Sequence, residues 1–266
     1  MAGKITVDLE KLAQDLSDAD ARVVEGALRR LGARLGRLGN SDYRRAVELV
    51  CSLFYVDTAD RPDLERALER GTRLLAAQGA KVIPHLIRQM EGSDIKSHIY
   101  LARTLGLIGP EALPRLRNLM ATAEDPYSRA FALYALGKMT CPEVVRALPE
   151  VLGGLMHPDK EVRDTAARTL GKIAMAAPPR RLTPRRRREM FEALYRALGD
   201  FQPAVRAKAM RSLGKMDAAG LMNREQKKMF ESAARKALGE SDEYAWDNAY
   251  IVRREAREAL DRLHLR

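Results

Sequence analysis

Asp159 to Ala174, DKEVRDTAARTLGKIA, is the stretch whose reading decides the fold. Val162, Ala166, Leu170 and Ile173 recur at the three- and four-residue spacing of one helix face. Asp159 stands where an N-cap carboxylate accepts backbone N–H groups, and its charge suits the positive helix end. Arg163 borders the apolar stripe, where its stem covers neighbouring helices and its guanidinium can reach an Asp of an adjacent repeat. The small Ala166 and Gly171 leave room for a partner helix to approach closely.

With Leu170-Gly171 as register mark, the same offsets return along the chain. Asp94, Ser97, His98 and Leu101 precede Leu105-Gly106, and Asp125, Ser128, Arg129 and Ala132 precede Leu136-Gly137. Gln202 takes the Asp position in the next copy, where Val205, Arg206 and Ala209 precede Leu213-Gly214. Near the C-terminus Val252, Arg253 and Ala256 precede Leu260, with Ala249 in the Asp position and Asp261 for the glycine. An earlier copy reads Asp20, Val23, Ala27 and Leu31, and residues 59–79 fill the gap before Leu105 with a degenerate one. Second helices lie between, among them SDYRRAVELVCSLF, CPEVVRALPEVLGGL, TPRRRREMFEALYRAL and NREQKKMFESAARKAL. Self-similarity at this period specifies stacked helix pairs.

D-x-x-V-R-x-x-A-x-x-x-L-G resembles the first helix of the HEAT repeat, in the short bacterial form of phycobilin lyase-like proteins. The resemblance covers nearly the whole chain. It implies a curved array of antiparallel helix pairs, second helices on the concave side, and a scaffolding or recognition role. The expected fold is therefore all-α, a right-handed α-solenoid of about six to seven HEAT-like pairs. One solenoid domain is expected over 1–266: a capping helix over 1–16 with Thr6 as N-cap, an inter-helix insertion loop over 176–184, and a C-terminal repeat or cap over 241–266.

Composition agrees. Hydrophobic residues make up 46% but aromatics only 5%, so Leu, Ala, Val, Ile and Met must build the core, as closely stacked helices require. No apolar run is long enough for a membrane span and the N-terminus lacks a signal-type apolar region, so a cytosolic protein is expected. Cys51 and Cys141 stand far apart without CxxC spacing and read as small core hydrophobes.

The net charge of +11 is unevenly placed: residues 171–230 hold 15 Lys and Arg against five Asp and Glu. Six arginines, Arg180, Arg181, Arg185, Arg186, Arg187 and Arg188, fall within nine residues of the insertion AAPPRRLTPRRRR. Thr183 and Pro184 read as N-cap and N1, which places Arg185 to Arg188 in a first helical turn whose N–H groups are already positive. Arg185 can pair with Glu189 and Arg188 with Glu192. Arg206, Lys208, Arg211, Lys215, Arg224, Lys227 and Lys228 extend the basic excess over neighbouring repeats. Such a patch calls for an acidic protein or peptide, or a phosphate-bearing partner.

The leading expectation is a non-enzymatic adaptor that meets an acidic partner along its second helices. A nucleic-acid-binding solenoid is the alternative, and the resemblance to HEAT-like DNA glycosylases would make Trp246 and Asp247, with Tyr244 and Tyr250 near, a base or ligand contact. The competing role for Trp246 is an aromatic plug in the last repeat. The resemblance to bilin lyases offers a second alternative, an enzyme, but supplies no nucleophile and base. His85, His98, His157 and His264 lack both the His-Glu pairs of HEAT hydroxylases and H-x-x-x-H spacing, and no nucleotide-binding loop occurs; no metal or cofactor is expected.

Overall fold

The computed structural model describes residues 7–91, 94–241 and 246–264. Thr6, Asp242, Glu243 and Tyr244 lie outside the described residues, as does the side chain of His264. Among the described residues regular structure is helical, and the extended pairing is an isolated antiparallel bridge between Leu238 and Trp246. The helices gather into two compact units, Met1–Arg115 and Leu116–Arg266.

In the first unit, α1 (Leu9–Leu16) packs on α2 (Ala21–Gly32) and α3 (Asn40–Ser52). The carboxylate of Asp8 caps α1 by accepting the Lys11 N–H at 2.9 Å, so Asp8 is the N-cap and not a first-turn acid. α2, α4 (Glu65–Ala76) and α6 (Ile95–Ile108) lie side by side, with α3 and α5 (Ile83–Glu91) as the second layer. α4 is the helix of the degenerate copy. Val24, Ala27, Leu28 and Leu31 are buried in α2 while Val23 is only half-buried, so the inward face is shifted by one residue from the Val23 register.

α7 (Leu113–Thr122) leads into the second unit. There α8 (Pro126–Leu136), α10 (Lys160–Ala176), α12 (Pro203–Ala218) and α14 (Tyr250–His264) pack in succession. The second helices α9 (Leu148–Gly154), α11 (Pro184–Ala197) and α13 (Arg224–Ala237) form the other layer, each against the following first helix. Val162, Ala166, Leu170 and Ile173 are all buried, as their spacing requires. Pro142–Ala147 forms a tighter 3-10 helix before α9, because Pro149 has no N–H to continue an α-helical ladder backwards. Gly220, at φ 67°, closes α12 by letting the Leu221 N–H reach the Met216 carbonyl at 2.9 Å.

Candidate functional site

The repeat arginines are committed to structure. Arg163 donates to both carboxylate oxygens of Asp200, at 2.7 and 3.1 Å, and to the carbonyls of His157 and Pro158. Arg206 repeats this one helix pair later, on both oxygens of Asp247 at 2.6 and 2.8 Å and on the carbonyls of Asp200 and Phe201. Arg253 donates to the Asp247 carbonyl. Arg163 and Arg206 thus each tie their own entry loop to the next, and Arg253 holds its own. Asp200 and Asp247 also accept the N–H groups of Gln202 and Ala249, as His157 Nδ1 accepts that of Asp159, while the Gln202 side chain itself makes no capping hydrogen bond. Burial alone would raise both carboxyls, but their arginines and backbone donors outweigh it and hold them below the usual carboxylate range.

The arginine insertion divides by role. Thr183 caps α11, accepting the Arg186 N–H at 3.3 Å, with Pro184 in the first turn. Arg187 is a clamp: its guanidinium donates to the carbonyls of Leu182 and Pro179, closing the loop whose Pro179–Arg181 segment is a 3-10 turn. Arg185 pairs with Glu189 at 2.8 Å on an exposed surface. Arg180, Arg181 and Arg188 are exposed and Arg186 is half-buried, and among the described residues none of these four forms an ion pair, including the expected Arg188–Glu192 pair.

The remaining basic candidates do not form one patch. Lys227 and Lys228 sit on α13, where Lys227 is neutralised by Asp217 at 2.9 Å and Lys228 is exposed. Lys208, Arg211 and Lys215 sit on the first helix α12, and Arg211 is bound by Glu255 of α14. Of the expected contact set, Arg206, Arg211 and Lys227 already hold carboxylates and Arg187 holds a loop. Sequence spacing could not show this, because each acidic partner comes from another helix or loop.

Lys215 is half-buried, and burial together with Lys172, Arg211 and Arg168 pushes its ammonium down to about 8. A folded-state value below the unfolded 10.5 means that the charged form opposes folding below pH 8, and that this cost fades as pH rises towards 10.5. Lys215→Met should remove that rise in stability, measured by urea unfolding across this pH range. The expected difference is about 1 kcal/mol, because solvent screens a half-exposed group well below the full linkage value.

Three grooves surround α11. One of about 690 Å³ lies against α9 and is lined by Leu152, Leu155, Ala193 and Ala197, with Met156 and Phe201 at its edge. Met156 is 74% exposed and Phe201 94%, unusual for large apolar side chains. A second, of about 510 Å³, lies between the C-terminal parts of α11 and α13 and reaches Trp246. The third, of about 560 Å³, joins the helix starts and holds Arg187, Arg188, Phe191, Met222 and Met229. Sequence periodicity missed the first groove, since Met156 and Phe201 fall in loops.

Trp246 is 60% exposed, so it is not a buried plug. The Arg253 guanidinium lies 4.5 Å from its ring centre, a cation–π contact, while the carboxylate of Asp247 is occupied by Arg206. Arg253 thus touches both neighbours, the Trp246 ring and the Asp247 carbonyl, while Arg206 takes the Asp247 carboxylate. Tyr250 is exposed on α14.

Among the described residues no group of three or more His, Cys, Asp and Glu is placed to hold a metal. His157 Nδ1 accepts the Asp159 N–H at 3.1 Å, and His98 Nε2 meets the Met90 carbonyl at 3.2 Å. Cys51 is buried, its thiol pushed up to about 12 by burial, whereas Cys141 is only half-buried at a helix entry. No helix among the described residues is long and apolar enough to cross a membrane.

A model of the HEAT-like repeat matches residues 126–173, from the start of α8 to Ile173 of α10. No curated protein matches the sequence. Among solved structures, the complex of CpcE and CpcF of phycocyanin lyase from Nostoc sp. PCC7120 superposes with a TM-score of 0.55 at 19% identity, covering 68% of this chain and 98% of that one. Kap95p, in a structure with RanGDP, superposes with a TM-score of 0.61 at 16% identity over 95% of this chain. The match takes in 35% of the Kap95p chain. At such identities the likeness shows the fold, a repeat solenoid. A HEAT-like repeat therefore spans α8 to α10, the same register runs on either side of it, and the fold is that of a repeat solenoid.

Proposed function

We propose that the chain is a non-enzymatic scaffold that holds a partner protein or peptide along its second helices around α11. The observation that carries this reading is the groove between α9 and α11, with its apolar floor and the exposed Met156 and Phe201 at its edge. Apolar side chains of that size lose water only when a second surface covers them, and their burial supplies the affinity. Kap95p, which shares the fold, engages a protein, RanGDP, in its structure.

Arg180, Arg181, Arg186 and Arg188 add a charge preference, because they hold no carboxylate among the described residues. They favour an acidic surface on the partner, through steering more than through contact energy. Reversing these four to Glu, with Arg187 left in place to keep the loop closed, should slow association with a partner recovered by crosslinking. The expected loss is about tenfold in association rate at low salt. An unchanged rate removes the acidic-partner reading, and Phe201→Ala with unchanged affinity removes the groove.

A further inference from the structure

A second concentration of positive charge, of which the sequence reading named only Arg211 and Lys215, lies on the first helices. Two residues before and two after the marker leucines stand Tyr134 of α8 and Lys138 just beyond its end, Arg168 and Lys172 of α10, and Arg211 and Lys215 of α12. On α10 and α12 the members of each pair stand four residues apart and so share a helix face.

Helix packing brings the pairs together. A Cβ placed on Gly171 would lie 2.8 Å from the Ser212 Cβ and 3.0 Å from its Cα, so α10 and α12 are in close contact there. The Ser212 hydroxyl stitches the same crossing, donating to the Ala167 carbonyl at 2.8 Å. Arg168 and Lys172 directly follow Ala167 and Gly171, and Arg211 directly precedes Ser212. Tyr134 of α8 extends the surface, with Lys138 Nζ 4.7 Å and the Arg168 guanidinium 5.3 Å from its ring centre.

Carboxylates balance only part of this charge. On α14, Glu255 is bound to Arg211 and Arg254, and Glu258 to Arg262. On α10, Asp164 faces Lys208 and Arg168, its own carboxyl raised by burial. Among the described residues no carboxylate lies within ion-pair distance of Arg168, Lys172 or Lys215. Burial first, and that crowding second, lowers the basicity of Lys215.

We propose that the crossing of α10 and α12 binds a phosphate group, contacted by Lys172 and Lys215 and flanked by Arg168, with Arg211 held beside them by Glu255. Three cations from two helices, Arg168, Lys172 and Lys215, exceed what one carboxylate can accept, whereas a phosphate monoester offers three oxygens and close to two charges. A nucleic-acid backbone needs a continuous basic track for its singly charged phosphates. Here the track ends at α14, where Glu255 and Glu258 occupy the next repeat. The site does not depend on the second-helix groove, so loss of partner binding would leave it standing.

The test is calorimetry and lysine side-chain NMR on the full chain at low salt, using inorganic phosphate, an O-phosphoserine peptide with neutral flanks, and a generic DNA duplex. At pH 8 binding should be accompanied by proton uptake, seen as a dependence of the heat on buffer ionisation. Lys172→Met and Lys215→Met should each weaken binding about tenfold, and Lys215→Met should abolish the proton uptake. Arg180→Met is the control that leaves phosphate binding unchanged. Binding of inorganic phosphate points to a free anion as ligand, and binding of the phosphopeptide alone to a modified partner; either supports the site. Failure of both phosphates, binding of the duplex alone, or phosphate binding indifferent to Lys172 and Lys215 in well-folded variants overturns it.

Discussion

Arg163→Ala is expected to lower the unfolding free energy by about 3 kcal/mol, far more than a surface ion pair would account for. The side chains of Arg163 and Asp200 are only 16% and 12% exposed, which places the pair close to the buried regime. The variant leaves the Asp200 carboxylate short of its bidentate donor and releases the carbonyls of His157 and Pro158. Urea unfolding measures the loss. Asp200→Ala should cost a similar amount, and the double variant much less than the sum, since both single changes break one network. Additive costs would show that the pair contributes little. Because Asp200 is held below its ordinary carboxyl range, its contribution is present above the unfolded carboxyl pKa and disappears as pH falls through the folded value. Arg163→Ala should therefore flatten the acid limb of the stability profile. In a stack whose repeats contact only neighbours, faster hydrogen exchange should be confined mainly to α10, α11 and α12.

Gly171→Leu should be comparably damaging, at about 3 kcal/mol or more, through overpacking. The atoms that a Cβ at this position would meet include the Cα of Ser212, which cannot move aside without shifting α12. Helix propensity favours the substitution by about 1 kcal/mol, so the sign of the result decides between propensity and packing. Gly153 supplies the contrast. It lies exposed in α9 with nothing within 4 Å of an added Cβ, and Gly153→Ala should stabilise by up to about 1 kcal/mol. Thermal unfolding of both variants checks the pair, and a harmless Gly171→Leu would mean that the first helices are not locked at this crossing. Such a variant should also spread Lys172 from Lys215 and weaken phosphate binding.

Much of the architecture was legible along the chain. The buried stripe Val162, Ala166, Leu170 and Ile173, the Asp159 cap and the Thr183-Pro184 entry to α11 follow from spacing within a turn or two of helix. The reach of Arg163 to an aspartate of the next repeat was legible as well, since the repeat places an acid in each entry loop. The register slipped where the pattern degenerated. Gln202 and Ala249 take the Asp position, and the acids that spacing did not single out, Asp200 and Asp247, stand two residues earlier, where each accepts the arginine of the preceding repeat.

Charge was the least legible property. A basic excess over residues 171–230 predicts one patch only if the side chains share a face and remain unpaired. Instead, carboxylates from distant positions neutralise Arg206, Arg211 and Lys227, and Arg187 turns inward onto its own loop. Two of the residues that matter most for the phosphate site, Arg168 and Lys172, drew no notice in sequence because they lie within a regular repeat helix. Helical periodicity is a local property, carried by residues a few positions apart, and so the amino-acid order alone was enough for the helix pairs and their repeat. The meeting of Lys172 with Lys215, 43 residues later, depends on how closely α10 and α12 cross at Gly171 and Ser212, and only packing in three dimensions sets that distance.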